Sequence, residues 1–117
     1  AALGCAQLEN LDRYVADKRE TAACYAEFFK GKEDITFFTE PADCKSNYWL
    51  NAVVLKDKAA QLDFLEYTND HGVMTRPVWE LMNRLPMFEH CETDGLENTE
   101  WLADRVVNIP SSVRLDK

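Results

Sequence analysis

Apolar side chains recur at alternating steps of three and four over residues 8–29, which is the spacing of an amphipathic helix. The stripe is interrupted at Lys18 and comprises Leu8, Leu11, Val15, Ala22, Tyr25 and Phe29. Gly31 follows at the place where a residue of left-handed conformation commonly ends a helix. We therefore predict one long helix that packs along its apolar face.

Later runs of the chain have the composition of β-strands. Residues 34–40 are rich in β-branched and aromatic side chains. Residues 47–55 are nearly continuously apolar, which predicts a strand covered on both faces. Residues 73–78 form a third run, in which Pro77 belongs near the strand end or on a sheet edge. Residues 107–109 predict a short fourth strand.

Shorter helices separate these strands. Asp57 is a good N-cap for a helix that ends at Gly72, and residues 79–84 predict a short helix or turn. A last helix is expected over residues 99–106, capped by Asn98. The sum is an α+β domain, in which a small, mainly antiparallel sheet of three or four strands packs with one long and two or three shorter helices.

Asn51 is a polar residue inside the apolar run 47–55. A buried amide that lacks a hydrogen-bond partner costs about 1–3 kcal/mol, so we expect this side chain to have one. A structural hydrogen bond to the backbone is favoured over contact with a ligand.

Charge and length narrow the class of protein. A chain of 117 residues suits one domain, and a net charge of −8 with a pI of about 4.7 lacks the basic footprint of a nucleic-acid-binding protein. The acidic balance also argues against docking on anionic lipid, and no long apolar segment could span a bilayer. We expect neither nucleic acid nor membrane as a partner.

The cysteines carry no metal-binding pattern. Cys5, Cys24, Cys44 and Cys91 are widely spaced, without a CxxC pair or a zinc-like arrangement with histidine, so no metal is expected. Because no signal peptide is visible, we interpret them as reduced residues that fill the core of a cytoplasmic protein.

No complete catalytic set is present in the sequence. The glycines are dispersed, and His71 and His90 are interpreted as surface or capping residues. The most unusual content lies in residues 71–88. There Arg76 could bind a phosphate or carboxylate through two hydrogen bonds, and Trp79 could cover a sugar or base. The alternative is a surface arginine and a tryptophan in the core, which composition alone favours.

An ordered set of motifs resembles one known family. It comprises residues 1–4, Gln7, Leu8, Leu11, Arg19, Ala22, Tyr25, residues 46–51, residues 72–77, Trp79, residues 85–88, Asn98, Ala103 and residues 108–112. In this order the motifs resemble the C-terminal part of the DegT/StrS-type nucleotide-sugar aminotransferases. The sequences of residues 46–51 and 75–79 are most similar to those of LegC-type and perosamine-synthase-like enzymes, which make 4-amino sugars.

The resemblance implies a fold-type I aminotransferase that uses pyridoxal phosphate, with glutamate as amino donor and a nucleotide-linked 4-keto sugar as acceptor. Such enzymes are typically homodimers. Residues 1–117 would be the C-terminal small domain, beginning in the helix that leaves a large domain, which agrees with a start at Ala1 without a visible cap. The large domain would bind the cofactor and carry the catalytic lysine.

None of the chain's lysines can be assigned that role. They are Lys18, Lys30, Lys32, Lys45, Lys56, Lys58 and Lys117. We therefore assign no catalytic residue to this chain and expect it to be inactive by itself.

The family stretch that approaches the sugar nucleotide matches residues 72–88. On that basis the substrate-binding candidates are Arg76, Trp79, Asn83 and Thr75. Two other functions stay open: a stand-alone module that dimerises through its sheet or long helix, and a small-molecule sensor that uses Arg76 and Trp79.

Overall fold

A four-stranded antiparallel sheet forms the centre of the computed structural model, which describes residues 1–114. Its strands are β1 (Ile35–Phe37), β2 (Asn51–Leu55), β3 (Arg76–Pro77) and β4 (Val106–Ile109), in the spatial order β1-β2-β4-β3. The helices over the same residues are α1 (Ala2–Leu8), α2 (Leu11–Phe29), α3 (Lys58–Asp70) and α4 (Glu97–Ala103), with a 3-10 turn at Met82–Arg84. The predicted α+β fold class is confirmed.

The core lies on one face of the sheet. Val53 of β2 and Val107 of β4 are opposite each other and fully buried, and Phe37, Leu55 and Ile109 are buried on the same face. The predicted apolar stripe of α2 covers this face through Ala22, Tyr25 and Phe29, and α3 adds Phe64 and Leu65. Burial alternates along β2, with Ala52 and Val54 only half-buried. The prediction that this strand is covered on both faces was therefore wrong.

The long first helix is divided in two, which corrects the prediction of a single helix. The side-chain amide of Asn10 donates to the carbonyl of Ala6 at 3.0 Å, so it satisfies the end of α1 just before α2 begins. Leu8 is 68% exposed and Leu11 is exposed as well. The stripe therefore contributes to the core only in the second half of α2.

Both ends of α3 agree with the sequence. The carboxylate of Asp57 accepts a hydrogen bond from the Ala60 N–H at 2.8 Å, which confirms the predicted N-cap. Gly72 has φ of 76°, and the N–H of Val73 reaches the carbonyl of Thr68 at 2.8 Å. Together with the bond from Gly72 N–H to Asn69 at 3.0 Å, this is a Schellman motif.

Other boundaries also differ from the prediction. β1 and β2 are shorter than the predicted runs 34–40 and 47–55, since they span Ile35–Phe37 and Asn51–Leu55. The third strand shrinks to Arg76–Pro77, which lies at the sheet edge because Pro77 has no N–H for a further neighbour. The expected helix over residues 79–84 is only the 3-10 turn. The last helix begins at Glu97, with Leu96 rather than Asn98 at its N-cap.

The cysteines do not fill the core. All four thiols are free, as expected, but all four residues are exposed. Cys24 lies on α2 away from the buried stripe, Cys5 belongs to α1, which buries none of its residues, and the other two lie in loops. The interpretation of these residues as core fillers was wrong because their elements present them to the outside.

Two buried side-chain amides, those of Gln61 and Asn51, differ in their hydrogen bonding. Gln61 is 0% exposed, and its Nε2 donates to the carbonyls of Ala103 at 2.9 Å and Val106 at 2.8 Å. Its Oε1 accepts from Lys58 at 2.8 Å. Asn51 is 1% exposed, yet neither polar atom of its side chain has a partner among residues 1–114. The favoured hydrogen bond from the Asn51 side chain to the backbone is therefore absent among these residues.

The two amides should respond to apolar replacement with opposite signs. We expect Asn51→Leu to raise the free energy of unfolding by about 1 kcal/mol, because it removes the cost of an unpaired buried amide. Gln61→Met should lower it by about 1–3 kcal/mol, because two buried carbonyls lose their donor. Urea unfolding of the chain followed by circular dichroism measures both. Equal destabilisation by the two substitutions would show that the Asn51 amide is satisfied.

Candidate functional site

A cavity of about 830 Å³ opens beside β3 and β4. Pockets of about 300–1,000 Å³ are typical of sites for small molecules. Its walls come from the loop before β2, from β3 with the turn after it, and from the end of β4 with the segment that follows. The lining residues are Lys18, Trp49, Leu50, Met74, residues 76–79 and residues 108–112.

Sheet pairing places Arg76 and Trp79 on this cavity. Arg76 pairs with Asn108 in the sheet, and the Asn108 amide donates to the carbonyl of Pro77 at 3.4 Å. Within the described residues, the one polar contact of the Arg76 guanidinium is the sulfur of Met74 at 3.8 Å, so its donors are available to a ligand. The Trp79 side chain is 71% exposed. A cation and a large aromatic surface thus lie on one concave surface.

The wall formed by the segment after β4 is fastened to α2. The Tyr25 hydroxyl donates to the carbonyl of Pro110 at 3.0 Å, and burial raises the pKa of this phenol, which keeps it protonated. The Lys18 ammonium donates to the carbonyl of Ser111. The Ser111 hydroxyl in turn accepts a hydrogen bond from the backbone N–H of Asn51 at 2.7 Å. These bonds tie the cavity wall to both α2 and β2.

A charged contact holds the next residues of the same wall. The backbone N–H of Arg114 donates to the carboxylate of Asp17 at 3.0 Å, and its guanidinium lies 3.3 Å from both Asp17 and Glu20. Asp17 is buried, which reduces the screening of this pair by water. The segment therefore keeps a fixed course along α2.

The loop that carries Trp49 is anchored by an ion pair. The guanidinium of Arg19 bonds both carboxylate oxygens of Glu40, at 2.6 Å and 2.9 Å, and also donates to the carbonyl of Ser46 at 2.5 Å. Glu40 accepts the N–H of Ser46 at 2.5 Å as well. The hydrogen bond from Arg19, followed by that from Ser46, lowers the pKa of Glu40 to about 2.

The four predicted site residues occupy three places. Arg76 and Trp79 lie together on the main cavity. Thr75 is buried, and its hydroxyl contacts the Thr68 hydroxyl at 2.5 Å and the Asn69 amide at 3.0 Å, so its polar group is used within the fold. Asn83 lines a separate cavity of about 430 Å³. The structure thus brings two of the four candidates together.

Several residues of the main cavity are not singled out by sequence reasoning. The sequence marks Lys18 only as an interruption of the apolar stripe, yet its ammonium reaches the cavity wall. Trp49 lies within the motif of residues 46–51, which is the available indication. Ser111 likewise lies within the motif of residues 108–112. Their convergence depends on strand pairing across the sheet, which no local pattern reveals.

Comparison with known proteins identifies the family. The sequence profile of the DegT/DnrJ/EryC1/StrS aminotransferase family matches residues 1–117. The chain belongs to this family. The predicted resemblance is therefore confirmed.

Curated relatives and solved structures agree with this membership. EpsN of Bacillus subtilis (strain 168), named as a pyridoxal phosphate-dependent aminotransferase, is 28% identical over 95% of this chain and 30% of its own length. GDP-perosamine synthase of Vibrio cholerae is 26% identical over 95% of this chain and 31% of its own. The crystal structure of the sugar aminotransferase CalS13 from Micromonospora echinospora is 25% identical with a TM-score of 0.82, over 99% of this chain and 30% of that one. The chain thus spans about 30% of the length of the curated relatives it matches.

The main cavity lacks groups that a site for the family's cofactor, pyridoxal phosphate, needs. Such a site needs a lysine to bind the aldehyde and a charged partner for the pyridine nitrogen. Lys18 is the one lysine on the main cavity within residues 1–114, and its ammonium is bonded to a carbonyl. No carboxylate lines that cavity among these residues. Lys117 lies outside the described residues.

None of the helices formed by residues 1–114 is both long and apolar enough to cross a bilayer.

The Arg19–Glu40 pair should persist far into acid. The folded pKa of Glu40 lies below its ordinary value of 4.5, so its stabilising contribution is complete above that pH and is lost as the pH falls through about 2. Carbon-13 NMR of the Glu40 carboxyl during acid titration should give a midpoint near that lower value. In Arg19→Met the midpoint should move up towards 4.5. A native Glu40 that already titrates at its ordinary value would contradict the pairing.

Proposed function

We propose that this chain is the C-terminal small domain, residues 1–117, of a pyridoxal phosphate-dependent aminotransferase. The complete protein would transfer the amino group of glutamate to a nucleotide-linked 4-keto sugar. The observation that carries the proposal is the placement of Arg76 and Trp79 on one cavity in a chain of the DegT/DnrJ/EryC1/StrS family. The name of GDP-perosamine synthase among the relatives supports a nucleotide sugar as the acceptor.

The cavity has groups suited to a nucleotide sugar. A planar guanidinium such as that of Arg76 can bind two oxygens of a diphosphate at once. The exposed rings of Trp49 and Trp79 offer flat apolar surfaces for a sugar or base. Thr75 and Asn83 remain proposed contacts of lower rank, since one is bonded within the fold and the other lies on the second cavity.

The amino-transfer chemistry itself would depend on the rest of the protein. The main cavity holds one lysine and no carboxylate among the described residues, which supports a large domain of the complete protein as the part that would hold pyridoxal phosphate and supply the catalytic lysine. Under this proposal the chain alone binds and orients the acceptor and has no transaminase activity. The protein would act in the cytoplasm.

Exposed apolar side chains support contacts with further protein. Large apolar residues with at least half of their surface exposed occur on α1, on α2 and beyond β3; they include Leu3, Leu8, Phe28, Met82 and Met87. Extensive exposed apolar surface commonly marks an interaction site. We propose that the chain's own large domain and the second subunit of a homodimer cover it.

Arg76→Ala in the complete protein tests the acceptor site. Loss of charged hydrogen bonds worth about 1.5–3 kcal/mol should raise the KM for the nucleotide sugar by about 10- to 100-fold. The half-reaction with glutamate should keep its rate, because the guanidinium would contact only the acceptor. Absorbance changes of the cofactor follow that half-reaction, and chromatography of the amino sugar follows the complete one.

Arg84→Ala is the matched control. Arg84 is also an exposed arginine of this region, but it lies 3.7 Å from both Glu80 and Glu100 and does not line the main cavity. It should change neither half-reaction. An equal loss of both half-reactions in Arg76→Ala would defeat the assignment of Arg76, and absence of any glutamate-dependent amination in the unchanged protein would defeat the proposed function.

A further inference from the structure

We propose that Arg19 is a positioning residue whose contacts with Glu40, Ser46 and Tyr48 hold the Trp49 ring at the cavity, where it receives the acceptor. The four residues Arg19, Glu40, Ser46 and Tyr48 together form a latch. The inference rests on the proposed function of the cavity, and it adds a role for residues that lie outside it.

The ion pair at the centre of the latch is bidentate. Two parallel hydrogen bonds, at 2.6 Å and 2.9 Å, fix the guanidinium of Arg19 against the Glu40 carboxylate. Both side chains are partly buried, with 33% and 22% of their surface exposed. A bidentate geometry of this kind defines the orientation of both groups as well as their distance.

Ser46 and Tyr48 connect the ion pair to the backbone of the loop. Ser46 uses both of its main-chain groups on the pair, because its carbonyl accepts from Arg19 and its N–H donates to Glu40. Its hydroxyl accepts the N–H of Tyr48 at 2.9 Å. The Tyr48 hydroxyl in turn accepts the backbone N–H of Glu40 at 3.2 Å. A closed set of bonds thus joins the ion pair to the residue directly before Trp49.

Tyr48 has an unfavourable backbone conformation. Its φ is 46°, in the left-handed region that is unfavourable for a residue with a bulky side chain. Such a conformation persists only where its surroundings hold it, and it is common at functional sites. Here the ring stacks on Phe37 at 6.5 Å between centroids, and the Arg19 guanidinium lies 5.6 Å from its centre. The latch therefore maintains a backbone turn that the sequence alone would not favour.

Trp49 depends on this turn for its orientation. Its side chain is 67% exposed and lines the cavity, so packing in the core does not fix it. Its backbone lies between the left-handed turn at Tyr48 and the first residue of β2, Asn51. The direction in which the indole points therefore depends on the latch. Loosening the latch should move the ring without opening the core.

Fluorescence anisotropy of Trp49 tests the latch independently of any activity. In a chain with Trp79→Phe and Trp101→Phe, Trp49 is the one remaining tryptophan. Arg19→Lys and Glu40→Gln should each lower its anisotropy, because a lysine or a neutral amide cannot keep the bidentate pair. Glu27→Gln is the control, since it removes the exposed Lys30–Glu27 contact on the same helix and should leave the anisotropy unchanged.

Kinetics of the complete protein, with all its tryptophans, test the role in binding. Arg19→Lys and Glu40→Gln should raise the KM for the nucleotide sugar by about 10-fold, in the range that a small misplacement of a binding group produces. The rate of the half-reaction with glutamate should not change, whereas a general loss of folding would lower both. Melting curves by circular dichroism confirm that each variant is folded.

The outcomes separate the two proposals. Unchanged anisotropy in both variants would overturn the latch whatever the activity of the protein. Lowered anisotropy with an unchanged KM would overturn its role in receiving the acceptor. If the unchanged protein does not aminate any nucleotide sugar, the proposed function fails and the role towards the acceptor falls with it, while the anisotropy still decides whether the latch holds Trp49.

Discussion

The antiparallel pairing of β2 and β4 at the centre of the sheet determines where everything else in this domain lies. Val53 and Val107 face each other across this pair and are fully buried beneath the helices. Asn51 pairs with Ile109, so the beginning of β2 and the end of β4 lie at the same end of the sheet. The loop with Trp49 and the segment after Ile109 consequently converge there, although they are far apart along the chain. The strand pairing that buries the core therefore also brings together the segments that line the cavity.

The edge position of β3 completes this arrangement. Within residues 1–114, Arg76 and Pro77 pair with β4 alone, so the other side of this strand has no neighbouring strand there. Arg76 is exposed, so its charge does not bear the cost of burial without a partner. On the edge, its guanidinium can remain hydrated until a ligand replaces the water. Under the proposed function, the same constraint that shortens this strand makes it suitable for binding an anionic acceptor.

The sequence predicts the parts of the structure that depend on neighbours along the chain. The stripe of Ala22, Tyr25 and Phe29, the cap at Asp57 and the turn at Gly72 all follow from local spacing and are present as expected. Periodicity misses the division between α1 and α2, which lies where the Asn10 side chain bonds the carbonyl of Ala6. It also fails for the unpaired amide of Asn51, since polarity in a strand indicates a partner only where the fold supplies one.

In the candidate site too, local sequence predicts some residues and misses others. Arg76 and Trp79 stand three residues apart, and the family resemblance is enough to nominate them. Lys18 reaches the cavity from α2, where it bonds the carbonyl of Ser111, and Trp49 reaches it from the loop before β2. The Arg19–Glu40 pair joins a helix to a loop 21 residues away. Nothing in the local pattern of Glu40 distinguishes it from the other acidic residues. Long-range convergence of this kind requires the folded structure.

Borohydride reduction of the complete protein, followed by peptide mass spectrometry, locates the lysine that binds the cofactor. Under the proposed function, this chain orients the acceptor while another domain holds the cofactor. The phosphopyridoxyl group should therefore be found on a lysine outside residues 1–117. A modified lysine within these residues, or a complete protein that takes up no cofactor, would contradict the proposal.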